Sequence, residues 1–81
     1  MRFTPEHVSE LNLLAQFEAG DPTVGIKVHS SAASPDSVAA AARLHEKGLT
    51  TQVDGGYLTS RGRDAAESAH TLLGLLCLPE P

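Results

Sequence analysis

The chain has little of what catalytic and metal sites are usually built from. Its 81 residues include one cysteine, two phenylalanines, one tyrosine and no tryptophan. The sequence contains no glycine-rich phosphate loop, no nucleophile elbow and no carboxylate pair set among aromatics. Four histidines are scattered without Cys-x-x-Cys or His-x-x-x-His spacing. We therefore expect no enzymatic activity, no metal site and no cofactor.

Long hydrophobic runs are also absent. Residues 72–78 form an apolar stretch far shorter than the roughly 20 residues needed to cross a bilayer. Residues 1–6 lack the apolar core of a signal peptide, and the lone Cys77 cannot form an internal disulfide. These features predict a soluble, cytoplasmic protein. A chain of this length fits a single domain over residues 1–81, of modest stability that a partner chain would raise.

Helix boundaries, in contrast, are clearly marked. Thr4-Pro5 and Ser34-Pro35 each place a capping residue before a proline, which predicts helices that begin at residues 5 and 35. Gly20-Asp21-Pro22 ends the first helix, and Gly48 gives the second, over residues 35–47, a Schellman ending. Thr59 caps a third helix.

The helical period assigns an inward face to each helix. In the first helix the face comprises Val8, Leu11, Leu14, Ala15 and Ala19. In the second, Val38, Ala41, Ala42, Leu44, His45 and Leu49 point inward, and Asp36, Ala39, Ala40, Arg43, Glu46 and Lys47 form the exposed face. The third helix turns Gly62, Ala65, Ala66, Ala69, Leu72, Leu73 and Leu76 inward. Gly62 predicts a close backbone approach, and His45 a histidine at the edge of the core with one nitrogen hydrogen-bonded.

Two further segments indicate strands. Residues 25–29 alternate, with Ile26 and Val28 to one side. Residues 50–53 and 57–58 flank Asp54-Gly55-Gly56, a strong hairpin signal because such turns need positive φ. The predicted order is therefore helix, strand, helix, hairpin, helix, in an α+β fold.

The second half of this order carries a family resemblance. Leu44 with Gly48-Leu49, the hairpin, and Leu58-Thr59 with Gly62 resemble the passage from recognition helix to wing in bacterial winged-helix (winged helix-turn-helix) DNA-binding proteins. The matching part spans roughly residues 34–69, and the whole chain resembles a family of short uncharacterised gammaproteobacterial proteins. Only residues 30–33 stand where that pattern has a separate helix before the recognition helix. The resemblance implies a small winged-helix-like domain with a truncated helix-turn-helix.

The resemblance also implies a transcriptional regulator that contacts duplex DNA through helix 35–47 and the wing 50–58. The net charge is −4, yet residues 25–63 hold five of the six lysines and arginines and carry a net charge of +2. Arg61 and Arg63 lie in the first turn of the third helix, where cations oppose the helix dipole. They either contact phosphates or pair with Asp64 and Glu67. The candidate DNA-binding residues are Lys27, Ser37, Arg43, Lys47, Arg61 and Arg63.

The alternative is a protein-interaction module, or adaptor, without DNA affinity. The apolar run at residues 72–78 surrounds nearly the whole helix, more than a monomer needs. Leu72, Leu75 and Leu78 are therefore candidate homodimer contacts. The other interpretation is that the last turn closes the core against the first helix.

Overall fold

The computed structural model describes residues 1–17, 24–29 and 31–77. Within them, helices α1 (Pro5–Leu14), α2 (Pro35–Glu46) and α3 (Ser60–Leu76) accompany strands β1 (Ile26–Lys27), β2 (Thr50–Gln52) and β3 (Gly55–Leu58). The strands form an antiparallel sheet in the order β1-β3-β2. The predicted α+β fold and element order are confirmed, and the arrangement is compatible with a small winged-helix-like domain.

Each predicted helix start is confirmed by its cap. The Thr4 hydroxyl accepts the backbone N–H of His7, and the His7 ring accepts the Thr4 N–H in return, so that both donors are satisfied. Ser34 caps α2, and the Thr59 hydroxyl accepts the N–H of Gly62 at the start of α3. Local side-chain chemistry therefore sets where the helices begin.

The end of α2 is the predicted Schellman motif. Gly48 has φ +77°, its N–H donates to the carbonyl of His45, and the Leu49 N–H donates to the carbonyl of Leu44. The predicted stop of the first helix at residues 20–22 is wrong, because α1 already ends at Leu14 with Ala15 as its C-cap. The predicted inward position of Ala19 lies outside the described residues.

The hairpin is confirmed, but its turn lies earlier than predicted. Gln52 pairs with Gly55, so Val53 and Asp54 form the connection, and Gly55 already belongs to β3. The positive φ values fall at Gly55 (+119°) and Gly56 (+70°), beside a register irregularity in the β2–β3 ladder. The glycines therefore serve a bulge that follows the turn, where one strand must accommodate an extra residue.

The core lies where α1, α2 and α3 meet. Its buried residues are Leu13, Leu14, Phe17, Ala40, Ala41, Leu44, Ala66 and Ala69. The predicted inward face of α1 is partly wrong, because Val8 is 47% exposed whereas Leu13 is 3% exposed. The helix is rotated so that Glu10 and Leu13, rather than Val8, are buried against the rest of the fold.

The predicted faces of α2 are also partly wrong. Ala40, assigned to the exposed face, is completely buried, and Arg43 is half-buried. His45, assigned to the inward side, is exposed, although its Nδ1 lies 3.1 Å from the Thr50 carbonyl oxygen as expected of a hydrogen-bonded ring. The small side chains at residues 39–42 allow elements to pack on more than one side of α2, so a single apolar face does not describe it.

Helix α3 is buried only along its first part. A Cβ placed on Gly62 would lie 1.8 Å from the carbonyl oxygen of Leu49, which confirms the predicted close approach. Leu72 and Leu76, predicted to face inward, are 39% and 74% exposed. Helix α1 borders this end of α3 across an open groove, with Val8, Leu11 and Ala15 on its side, and does not cover the leucines.

Candidate functional site

A buried carboxylate joins α1 to α2. Arg43 Nε donates to Glu10 Oε2 at 3.1 Å, and Lys47 Nζ pairs with Glu10 Oε1. Arg43 Nη2 also donates to the backbone carbonyl of Glu6 at 3.4 Å. The Glu10 side chain is 8% exposed, compared with 30% for Arg43 and 48% for Lys47. We call these three residues the Glu10 cluster; they fasten the middle of α1 to the C-terminal half of α2.

The electrostatics of the Glu10 cluster favour the charged carboxylate. Burial by itself raises the pKa of Glu10, but the hydrogen bonds and positive charges of Lys47 and Arg43 outweigh it. The pKa of Glu10 therefore lies below its ordinary value of 4.5. With one anion between two cations, the cluster carries a net charge of about +1 at neutral pH.

The Glu10 cluster draws two side chains of the predicted recognition helix toward α1. Of the two cations expected on an exposed face, Lys47 is exposed and Arg43 is half-buried, and both side chains reach Glu10 on α1. Ser37 is half-buried, with its N–H and its hydroxyl oxygen both hydrogen-bonded to Ser34. The exposed residues of α2 are instead Pro35, Asp36, Ala39, His45 and Glu46, which include two acids and no lysine or arginine.

The remaining predicted DNA contacts lie on β1 and at the start of α3. Lys27 Nζ lies 3.6 Å from Asp54 Oδ2, in a pair whose lysine is 63% exposed. Arg61 is exposed, and Arg63 Nη2 donates to the Ser60 hydroxyl oxygen at 3.3 Å. Within the described residues no ion pair joins either arginine to an acid on α3. The six predicted residues thus divide among three places, and the arginines of α3 are not neutralised by the pairing that the sequence suggested.

The end of α3 forms an apolar surface. Leu72, Leu73, Leu75 and Leu76 are all exposed, by 39% to 74%. A groove of about 140 Å³ runs between this end and α1, and it is lined by Val8, Leu11, Asn12, Ala15, Ala69, Leu72, Leu73 and Leu76. We call the four leucines the α3 leucine patch. The third predicted dimer contact, Leu78, lies outside the described residues, and Cys77 beside the patch is exposed.

Comparison with protein families matches residues 1–77 to a family of unknown function, DUF5669. The chain belongs to this family. No curated protein and no solved structure matches the chain.

Two absences apply to the part of this DUF5669 chain that the structure describes. None of its helices there is long and apolar enough to cross a membrane. Over residues 1–17, 24–29 and 31–77, histidine, cysteine, aspartate and glutamate side chains form no group of three or more that could hold a metal ion.

Sequence reasoning missed two features of this family member. One is the Glu10 cluster, whose only sequence signal is the four-residue spacing of Arg43 and Lys47 beside the small residue Ala40. The other is a cleft of about 530 Å³ between the N-terminal segment, α1 and the end of α2. Its lining residues are Met1, Arg2, Phe3, His7, Glu10, Leu11, Leu14, Leu44, Lys47 and Leu49.

Proposed function

We propose that this protein is a non-catalytic protein-interaction module that forms a homodimer through the end of α3. The observation that supports this function is the α3 leucine patch, which leaves four large apolar side chains uncovered within two turns of one helix. Isolated exposed leucines are normal on a protein surface, but a contiguous group is typical of an interface.

The energetics favour self-association. In a twofold-symmetric dimer the same four leucines of both copies are buried, which makes eight leucines in all. Completely burying a leucine contributes about 1.5–3 kcal/mol, so eight partly exposed leucines contribute on the order of 10 kcal/mol. Association costs roughly 4–15 kcal/mol, so a net gain of about 6 kcal/mol remains only at the low end of that range, and we expect a weak dimer with a Kd on the order of tens of micromolar.

Charge does not oppose this contact. Residues 68–76 contain no lysine, arginine, aspartate or glutamate. Two copies of the patch can therefore approach without like-charge repulsion, and no ionic group has to lose its water.

Sedimentation equilibrium tests the proposal. We expect the wild type to be a dimer at high micromolar concentration and Leu75→Glu to be a monomer, because the buried carboxylate would lack a partner. Val53→Glu is the matched control, since Val53 at the hairpin is 59% exposed and Leu75 is 62% exposed. A monomeric wild type at several hundred micromolar, or equal dissociation of both variants, would contradict the proposal.

A second candidate function is DNA binding, and a different observation favours it. Arg61 and Arg63 stand at the positive end of α3, immediately after the hairpin, with no acidic partner among the described residues. A cation placed against the helix dipole costs about 0.3–1 kcal/mol, which phosphate contacts would offset. The exposed charged residues within α2 are Asp36 and Glu46, and Lys47 at its C-cap is paired with Glu10, which argues against base reading by that helix. The candidate contact is therefore to the DNA backbone, by these two arginines and Lys27.

Fluorescence anisotropy with random duplex DNA tests this second function. We expect binding at low salt that weakens steeply as salt rises, because each phosphate contact adds a slope of about −0.9 in log K against log salt. The double variant Arg61→Ala, Arg63→Ala should lose most of the binding. Arg2→Ala, which removes one exposed cation elsewhere, should retain it. Absence of binding at about 50 mM salt and high protein concentration would exclude this function.

A further inference from the structure

We propose that the cleft between the N-terminal segment, α1 and the end of α2 binds a small amphipathic monocarboxylate, with its apolar tail against the leucines and its carboxylate at Lys47. This site is separate from the α3 leucine patch. The proposal is independent of dimerisation and of DNA binding.

The size and lining of the cleft suit an apolar tail. Its volume of about 530 Å³ falls within the range of roughly 300–1,000 Å³ that is typical of small-molecule sites. Leu14 and Leu44 are buried at its base, and Leu11 and Leu49 are half-buried. Phe3 is 67% exposed at its rim, where a tail would contact the ring.

The charges at the cleft select an anionic head group. Lys47 has three N–H donors and a side chain that is 48% exposed, and it pairs with one oxygen of Glu10. The other Glu10 oxygen accepts from Arg43, so the negative charge of Glu10 is already offset by two positive charges and attracts a cationic ligand only weakly. Arg2 adds a second positive charge to the lining. The balance favours a single carboxylate, which would accept a charge-assisted hydrogen bond from Lys47.

Three probes of equal chain length separate tail and head contributions. Octanoate, octanol and octylammonium are titrated into the ¹⁵N-labelled full chain, below their aggregation concentrations, and followed by amide chemical shifts. We expect octanoate to bind saturably and to shift the amides of Leu14, Leu44 and Leu49, which line the cleft but not the groove beside the α3 leucine patch. Octanol should bind about tenfold more weakly, and octylammonium should give no saturable shift, because only the carboxylate can pair with Lys47. Hexanoate should bind more weakly than octanoate, by about fourfold per missing methylene.

Variants assign the head group to its partner. Lys47→Gln should weaken octanoate binding about tenfold, and Arg2→Gln, which leaves the Glu10 cluster intact, should weaken it to a smaller extent. Lys27→Gln is the control, since it removes a cation outside the cleft and should not change the affinity. The dispersed amide spectrum of each variant establishes that it is folded.

The proposal would be overturned if octanoate binding did not saturate, or if octanoate and octylammonium bound equally well. It would also be overturned if the amide shifts were confined to the α3 leucine patch, or if folded Lys47→Gln and Arg2→Gln both bound octanoate with the affinity of the wild type.

Discussion

At the scale of single residues, Glu10 has the strongest physical consequences. It is a buried carboxylate, and burying an unpaired charge would cost several kcal/mol. Arg43 and Lys47 remove that cost and tie two helices together, yet each cation stays in partial contact with water. The stability of the α1–α2 contact therefore depends more on the carboxylate than on either cation.

Replacing this carboxylate tests that dependence. We expect Glu10→Gln to lower the free energy of unfolding by about 1–3 kcal/mol, because two cations then face each other across a neutral amide. Urea denaturation at pH 7 measures the change. Glu67→Gln, at an exposed position of α3, should change the free energy of unfolding by less than about 0.5 kcal/mol. Equal effects of the two substitutions would remove Glu10 from its assigned role.

The same residue predicts how stability depends on pH. The pKa of Glu10 in the folded protein lies below its ordinary value of 4.5, so the folded state holds this proton less tightly than the unfolded state. The stabilisation is fully present above about pH 4.5 and is lost as pH falls through the folded pKa. The urea midpoint should therefore fall with acid below pH 4.5, and it should fall less in Glu10→Gln, which has no proton to gain there. Parallel acid profiles would contradict this assignment.

At the scale of the elements, local chemistry was sufficient to predict the order of the helices and strands and where each helix begins, but not where α1 ends. Thr4, Ser34 and Thr59 act as caps, and Gly48 ends α2, because these roles depend on residues that are near in sequence. The faces of the helices were harder to predict. In the run of alanines at residues 39–42, no difference in side chain distinguishes the buried Ala40 from the exposed Ala39, so the packing of α1 decides.

Two glycines of α3 provide a matched test of element packing. Gly62→Ala should destabilise the fold by about 1–3 kcal/mol, because its Cβ would meet the Leu49 carbonyl and the backbone would have to move. Gly74→Ala should stabilise it by about 0.5–1 kcal/mol, since Gly74 has no neighbouring atom within 4 Å and alanine favours the helix. Thermal unfolding of both variants provides the measurement. If the melting temperature changed in the same direction in both variants, the close approach of Gly62 to Leu49 would not contribute to stability.

At the scale of the whole molecule, small size makes association important. A domain of this length buries only about 60–65% of its unfolded surface, and its core consists largely of alanines and leucines. A dimer through the α3 leucine patch would add apolar burial that the single chain lacks.

Dimerisation predicts a melting temperature that depends on concentration. For the wild type, it should rise by several degrees between about 10 and 500 µM protein, because association stabilises only the folded chain. For Leu75→Glu it should not change over the same range. Scanning calorimetry at several concentrations distinguishes the two. A constant melting temperature in the wild type would argue against the dimer.

The α3 leucine patch, the Glu10 cluster and the cleft differ in how well the sequence alone predicts them. The α3 leucine patch is contiguous in the chain, so its apolar excess can be read directly from residues 72–76. The Glu10 cluster joins residues separated by 33 and 37 positions, and the cleft joins the N-terminus to Leu49. Such groupings arise only when α1 packs on α2, which no local signal specifies.

The junction between the hairpin and α3 has a mechanical consequence. The Leu49 carbonyl accepts the Thr59 N–H at 3.1 Å, and the Thr59 hydroxyl donates to the Gly48 carbonyl at 2.6 Å, with Gly62 seated against Leu49. These contacts hold the hairpin against the first turn of α3. In a dimer joined through α3, the angle at which the two α3 helices cross would therefore set the distance between the tips of the two hairpins.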